Sequence, residues 1–323
     1  MKRGLVIGKF MPVHKGHLAL IDFAKNNCDE LIVSMSYTSD DPIEGDLRLR
    51  WLKEIFINRP GIKIEKVLDD FDDESKPLDV RTQLWARFIQ NRYPPIDVII
   101  SSENYGAPFA KNLGARHLIF DRERSNLPVS ATDIRTQPMK NWDFIPDVVR
   151  PYFVKKVCFY GAESTGKSTM AQKMALHYNT EFVPEVAREM ITSNAFTLVD
   201  IVAIGKEQAA RIIEKSKSAN KILFCDTDAI TTQIYSEQYL NEVPEILYLL
   251  ENEMKYERYF LFEPDVPWVS DGLRDLGHRC EEMAEKFKAA LEKRRIPFVE
   301  VRGTWEERFE IIKFEIDSMI GSK

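Results

Sequence analysis

Short apolar runs alternate with helix-like stretches from one end of this chain to the other. The runs at 5–7, 30–35, 62–68, 97–101 and 117–120 are strand-sized, and helical spacing fills 16–27, 47–57, 80–91 and 107–113 between them. A second series begins at Lys155, with strands at 157–160, 222–225, 259–262 and 298–301 and a helix at 167–177. Strands separated by helices of this length form parallel sheets wound by right-handed crossovers. Each series opens on a strand that runs into a phosphate-type loop. The expectation is therefore two doubly wound α/β domains, residues 1–150 and 151–323, parted where Pro146 and Pro151 interrupt a partly helical stretch. A chain of 323 residues is comfortable for two such cores.

Composition narrows the class of function. The net charge is −6, the excess of acid falls in the second half, and neither half reads as a nucleic-acid binder. Apolar runs all stop short of the roughly 18 residues a membrane span needs, and Met1-Lys2-Arg3 leads into no signal-peptide pattern. Cys28, Cys158, Cys225 and Cys280 are far apart, as reduced thiols of a cytoplasmic protein would be. The acidic run from Asp69 to Glu74 reads as a solvated loop. Self-association is left open.

Chemistry concentrates in the two loops. "GAESTGKST", Gly161 to Thr169, follows the apolar "VCFY" and precedes a helix-compatible run. Glycines let such a loop curl so that its N–H groups face phosphates, and the helix start adds a favourable dipole. Gly161, Ser164, Thr165, Gly166 and Thr169 are expected around the phosphates of ATP, with Lys167 reaching the β- and γ-phosphates and Ser168 ligating Mg²⁺. "ILFCDTD" is a strand ending in Asp226 and Asp228, at the sheet edge where ligands bind; one carboxylate is expected to orient the metal or accept a hydroxyl proton. Asp226 is the first choice. "DGLRDLGHR" offers Arg274 and Arg279 to a lid that would neutralise the transferring phosphoryl.

In the first half, "LVIG" runs into "KFMPVHKGHLALIDFAKN". His14 and His17, three apart at a helix start, point the same way. With Gly8, Lys9 and Phe10 just upstream they make a site for a polyphosphate undergoing substitution. "SATDIR" further along gives Ser130 and Thr132 as donors, then Arg135, at a second helix start; Ser130 equally suits an N-cap.

"GKFMPVHKGH" with "SATDIR" resembles the nucleotidyltransferase superfamily, specifically its nicotinamide mononucleotide (NMN) adenylyltransferases. "GAESTGKST", "PEVARE", "FCDTDAITTQ" and "PWVSDGLRDLGHR" resemble the ribosylnicotinamide kinase domain of NadR-like proteins. The resemblance implies a Rossmann-like HxGH transferase followed by a P-loop kinase, both using MgATP, acting on NMN and ribosylnicotinamide and producing NAD. It puts Lys9, His14, His17 and Arg135 around ATP. Trp85 falls at a position that stacks on nicotinamide, although core packing explains a tryptophan equally well. Arg48 or Arg50 faces substrate phosphate in similar stretches, and Glu185, Arg188 and Trp268 lie in segments associated with the nucleoside. Only eight residues precede Lys9, so the helix-turn-helix repressor domain of some relatives is not expected. Two rivals stand beside this reading. One is another pairing of the same parts, as in sulfate-activating or coenzyme A–forming enzymes; the other is a nucleotide sensor that binds without turnover.

Overall fold

The computed structural model describes residues 1–72, 75–191, 195–266 and 279–321. The chain divides into two compact units, Met1–Arg150 and Pro151–Lys323.

The first unit runs β1 (Arg3–Gly8), α1 (Lys15–Lys25), β2 (Glu30–Tyr37), α2 (Gly45–Ile55), β3 (Ile62–Leu68), α3 (Leu78–Arg92), β4 (Val98–Ser101), α4 (Gly106–Leu113), β5 (Arg116–Ile119) and α5 (Ala131–Thr136). Its five strands pair in the order β3-β2-β1-β4-β5, all parallel. Leu5, Val6, Leu31, Val33, Val98 and Ile100 are wholly buried, as strands covered on both faces must be. Strand order reverses between β1 and β4, so a crevice opens at their carboxyl ends.

The second unit runs β6 (Lys155–Tyr160), α6 (Lys167–His177), β7 (Phe182–Val183), α7 (Ala187–Met190), α8 (Leu198–Ser216), β8 (Ile222–Asp226), α9 (Ala229–Leu240), α10 (Glu245–Glu253), β9 (Arg258–Phe262), α11 (Cys280–Arg294), β10 (Phe298–Val301) and α12 (Trp305–Ile320). Its parallel sheet has the order β10-β9-β6-β8-β7. Phe159 is the hub of an aromatic cluster, with Phe224, Phe260 and Phe262 at centroid distances of 5.7, 5.5 and 5.2 Å. Both sheets thus place their first strand centrally and send it straight into a phosphate-type loop. Among the described residues no helix is long and apolar enough to cross a membrane.

Candidate active sites

In the first unit β1 ends at Gly8 and the chain turns through Lys9, Phe10 (φ 48°) and a cis Met11–Pro12 peptide into α1. His14 caps that helix, its Nδ1 accepting from Gly16 N–H at 3.1 Å, while His17 Nδ1 accepts from His14 N–H at 3.3 Å. The two rings lie 3.7 Å apart at their centroids, and Phe10 packs edge-on against His17. Burial lowers the pKa of His14 to about 4, helped by Arg124 and opposed by Asp133. His17 is pushed down well below the ordinary range by burial, then by His14 and Arg124. Both rings are therefore neutral at pH 7, and because Nδ1 accepts in each, the proton sits on Nε2. The pair is a set of directed N–H donors rather than cations.

These rings open into a cavity of about 460 Å³ whose wall includes Gly8, Lys9, Thr132 and Arg135. Arg135 donates to Met11 O and, at 3.1 Å, to Thr132 Oγ1, tying α5 to the histidine loop. Ser130 is engaged as the N-cap: its Oγ accepts from Asp133 N–H at 3.1 Å and donates to the Asp133 carboxylate at 2.6 Å. Arg124, which sequence reading passed over, belongs to the same wall.

A second cavity, about 180 Å³, shares Ile7, Gly8, Lys9 and Tyr105 with the first. Two hollows thus meet at the end of β1, one polar and one aromatic. Trp85 stands in the aromatic one, edge-on to Tyr105 at 5.5 Å, with the Arg81 guanidinium 5.2 Å above its ring. Arg81 is held by Asp72 through bonds of 2.8 and 2.6 Å. Part of the acidic run corrects the expectation of a solvated loop: Asp69, Phe71 and Asp72 line this cavity, and Phe71 stacks on Phe88 at 4.5 Å, while Asp70 is exposed and Asp73 and Glu74 lie outside the described residues. The signal was the phenylalanine within the run.

The two arginines of α2 part company. Arg48 is wholly buried and donates to Ile43 O at 2.9 Å, Ser36 O at 3.2 Å and Lys9 O, paired with Asp41 at 2.5 Å. Arg50 is exposed, and neither arginine lines either of these two hollows.

In the second unit residues 161–166 link β6 to α6. Gly161 (φ 135°) passes so close to β9 that a Cβ there would lie 2.8 Å from Phe262 O, and Gly166 (φ 89°) is also left-handed. Only glycine suits either place. Lys167 is buried, its Nζ donating to Ala162 O at 2.7 Å. Burial lowers its pKa, with Glu185 and Asp226 opposing. Ser168 Oγ and both Asp226 carboxylate oxygens are buried with no completed hydrogen bond among the described residues, although the two groups sit close enough to influence one another. Burial, then Glu185, raises Asp226 to about 6. Thr165 lies inside the loop, bonded to Ala162 O at 2.9 Å, Ser164 has φ 60°, and Thr169 is exposed.

Asp228 differs in kind from Asp226. It caps α9, accepting from Thr231 N–H at 2.9 Å and Thr231 Oγ1 at 3.0 Å, and it accepts from the Tyr259 hydroxyl at 2.8 Å. With its oxygens so committed, it corrects the expectation of a substrate contact.

Beside the loop lies an apolar-walled hollow of about 240 Å³ formed by α7, α8 and α9. Glu185 and Arg188 line it as an ion pair, Nε to Oε2 2.7 Å. Tyr235, Thr231 and Gln208 were not anticipated there. Gln208 accepts from Val186 N–H at 2.9 Å, linking α8 to the approach to α7. Trp268 and Arg274 lie outside the described residues. Arg279 pairs with Glu282 at 2.6 Å and lines a separate groove with Lys286.

Comparison with known proteins gives the same two parts. Residues 5–137 match the cytidylyltransferase-like family and residues 156–308 match the AAA domain family. The trifunctional NAD biosynthesis/regulator protein NadR of Escherichia coli K12 is 32% identical across 92% of this chain and 78% of its own length. This chain belongs to the NadR family. The Salmonella typhimurium LT2 NadR is likewise 32% identical over 93% of the chain, so the family match takes in both units. The nicotinamide-nucleotide adenylyltransferase of Thermococcus onnurineus is 24% identical over 48% of the chain and 83% of its own length. A crystal structure of a NadR protein in complex with NR shares the fold, with a TM-score of 0.83 and 22% identity over 100% of this chain and 97% of that one.

Proposed function

We infer that this chain makes NAD by two ATP-dependent transfers. In the second unit the 5′-hydroxyl oxygen of ribosylnicotinamide gives up its proton and bonds to the γ-phosphorus of ATP as the bond to ADP breaks, giving NMN, ADP and a released proton. In the first unit a phosphate oxygen of NMN bonds to the α-phosphorus of a second ATP as the bond to pyrophosphate breaks, giving NAD. The observation that carries this reading is the pairing of hollows: each phosphate loop of this NadR-family chain adjoins a pocket of nucleoside size. A match along both units sets aside the sulfate-activating and coenzyme A–forming pairings.

In the first site Nε2–H of His14 and His17 would hydrogen-bond the polyphosphate, with Lys9 where the two hollows meet and Arg135 beside the histidine loop. Trp85 would offer its ring to nicotinamide. Among the described residues no side chain there is placed as a covalent nucleophile, which supports direct displacement. In the second site Lys167 would leave Ala162 O for the β- and γ-phosphates, spreading the charge of a loose transition state. Glu185 and Arg188 would meet the nucleoside. Buried oxygens without partners suit a hard cation, so Ser168 and Asp226 would hold Mg²⁺. When bound, the ion supplies charge neutralisation on the phosphate oxygens. The four cysteines, all free, agree with a reducing cytoplasmic setting.

The test is incubation with ribosylnicotinamide and MgATP, following NMN and NAD by chromatography. Both products are expected in succession. Lys167→Ala should abolish NMN formation and leave adenylylation of supplied NMN intact; loss of both activities in a folded chain contradicts independent sites.

A further inference from the structure

A loop that presents N–H groups to phosphate must turn carbonyls the other way. The trans peptide is planar, with C=O and N–H antiparallel, so fixing one oxygen fixes the direction of the next residue's N–H. Carbonyls turned into the protein interior need donors. In the phosphate loop of the second unit Ala162 O is met from within, by Lys167 and Thr165, while Thr165 O is met from behind by a buried guanidinium. Arg308, on α12, is wholly buried. It donates from Nη1 to Thr165 O at 2.7 Å, from Nε to Gly303 O at 2.9 Å and from Nη2 to Glu263 O at 3.1 Å, with Asp265 as its charge partner. Asp265 in turn accepts from Gly303 N–H at 2.6 Å. Thr165 O shares its peptide with Gly166 N–H, so the Arg308 bond points that N–H away from α12 and into the loop. The same helix lays Trp305 against Gly166, where a Cβ would lie 2.7 Å from the indole.

The first unit arrives at the same device from an unrelated loop. Arg48 is also wholly buried, also paired with an aspartate, and donates to Lys9 O, whose peptide carries Phe10 N–H. In both units a guanidinium stands behind the first phosphate loop and touches its backbone only.

We propose that Arg308 is a positioning residue of the kinase: it holds the Thr165–Gly166 peptide with its N–H toward the phosphates before ATP arrives. It acts through the loop, since it is fully buried and lines none of the hollows described above. A guanidinium suits this task because its planar fork of five donors spans several carbonyls at once, whereas an amine is a point charge. The proposal rests on the kinase reading above and predicts a loss specific to the phosphate-bearing substrate.

The experiment is steady-state kinase kinetics on the full chain, with wild type, Arg308→Met and Arg308→Lys, varying ATP and ribosylnicotinamide separately. Adenylylation of supplied NMN checks the rest of the chain. Arg308→Met should raise KM for ATP by roughly tenfold or more, the scale of losing one buried charge-assisted hydrogen bond, with KM for ribosylnicotinamide within about twofold of wild type. Arg308→Lys should fall between, because it keeps the charge and reaches fewer oxygens. An unchanged KM for ATP in Arg308→Met overturns the proposal. Equal rises for both substrates, or a second unit that fails to fold in both variants, overturns it too, by making the role one of general stability. A wild-type chain that makes no NMN is a different result: it removes the kinase reading, and the proposal falls with it.

Discussion

His14 and His17 give their Nδ1 lone pairs to backbone N–H groups, which leaves Nε2–H as the only proton each ring can offer a ligand. A motif search recovers the two histidines but not their charge state, because that depends on burial the motif does not record. His17→Ala removes one such donor and should cost roughly 2–4 kcal/mol of transition-state stabilisation in adenylyl transfer, with NMN formation spared. Near-normal NAD synthesis from NMN in that variant would sink the assignment. The pH dependence follows from the sign of the shift. A histidine held at about 4 in the fold and near its ordinary value when unfolded is neutral in the native state across neutral pH. Acid therefore weakens the first unit as pH falls from about 6.5 toward 4, the window in which only the unfolded state takes the proton. The free-enzyme pH profile of adenylyl transfer should show no histidine limb near 6.5; one that disappears in His14→Asn would refute the neutral pair. Asp226 carries the opposite sign. Its raised pKa means the native carboxylate is destabilised once pH rises above the ordinary carboxylate range, through about 6. Asp226→Asn should abolish NMN formation while thermal unfolding of the second unit at pH 7 moves up or stays level. A large drop in stability would show that the carboxylate has protein partners after all. Spacing alone separates Arg48 from Arg50. Arg48 shares the spacing of Gly45, Trp51 and Leu52 on the buried face of α2, whereas Arg50 falls outside it.

At the scale of elements, central parallel strands announce themselves as apolar runs, and those were legible to within a residue or two. β7, two residues long, carries no such signal. The acidic run beside the aromatic hollow looks solvated because acid dominates its composition, while its packing rests on Phe71 and on the Asp72–Arg81 pair. The role of α12 was not readable at all: Arg308 meets Thr165 across 143 residues of sequence. Asp228 belongs to this scale, since its contribution is a helix. It caps α9, which brings Thr231, Thr232, Tyr235 and Tyr239 to the hollow beside the phosphate loop. Asp228→Ala should cost about 1–3 kcal/mol of stability, for the lost cap and the Tyr259 hydroxyl left without its acceptor. Its kinetic mark should be a raised KM for ribosylnicotinamide and a smaller change in kcat, measured beside urea unfolding of the same preparation. A variant as stable as wild type but catalytically dead would return Asp228 to the chemistry.

For the whole molecule, repetition was the most legible feature. Two series of alternating strands and helices, each with a loop after its first strand, predict two doubly wound units, and both sheets place that strand at the centre. The consequence lies in how the two reactions follow one another. On the proposed reading NMN is the product of one site and the substrate of the other, so a shared chain supplies both catalysts in equal number. Covalent linkage by itself does little more for a small metabolite, because diffusion carries it away far faster than a typical turnover of about 10 per second. Catalysis is therefore predicted to be sequential with free release of NMN. Excess isotopically labelled NMN, added while unlabelled ribosylnicotinamide is being converted, should dominate the new NAD. If the NAD formed stays mostly unlabelled against that excess, NMN passes from site to site without mixing, and a diffusing intermediate is the wrong description of this enzyme.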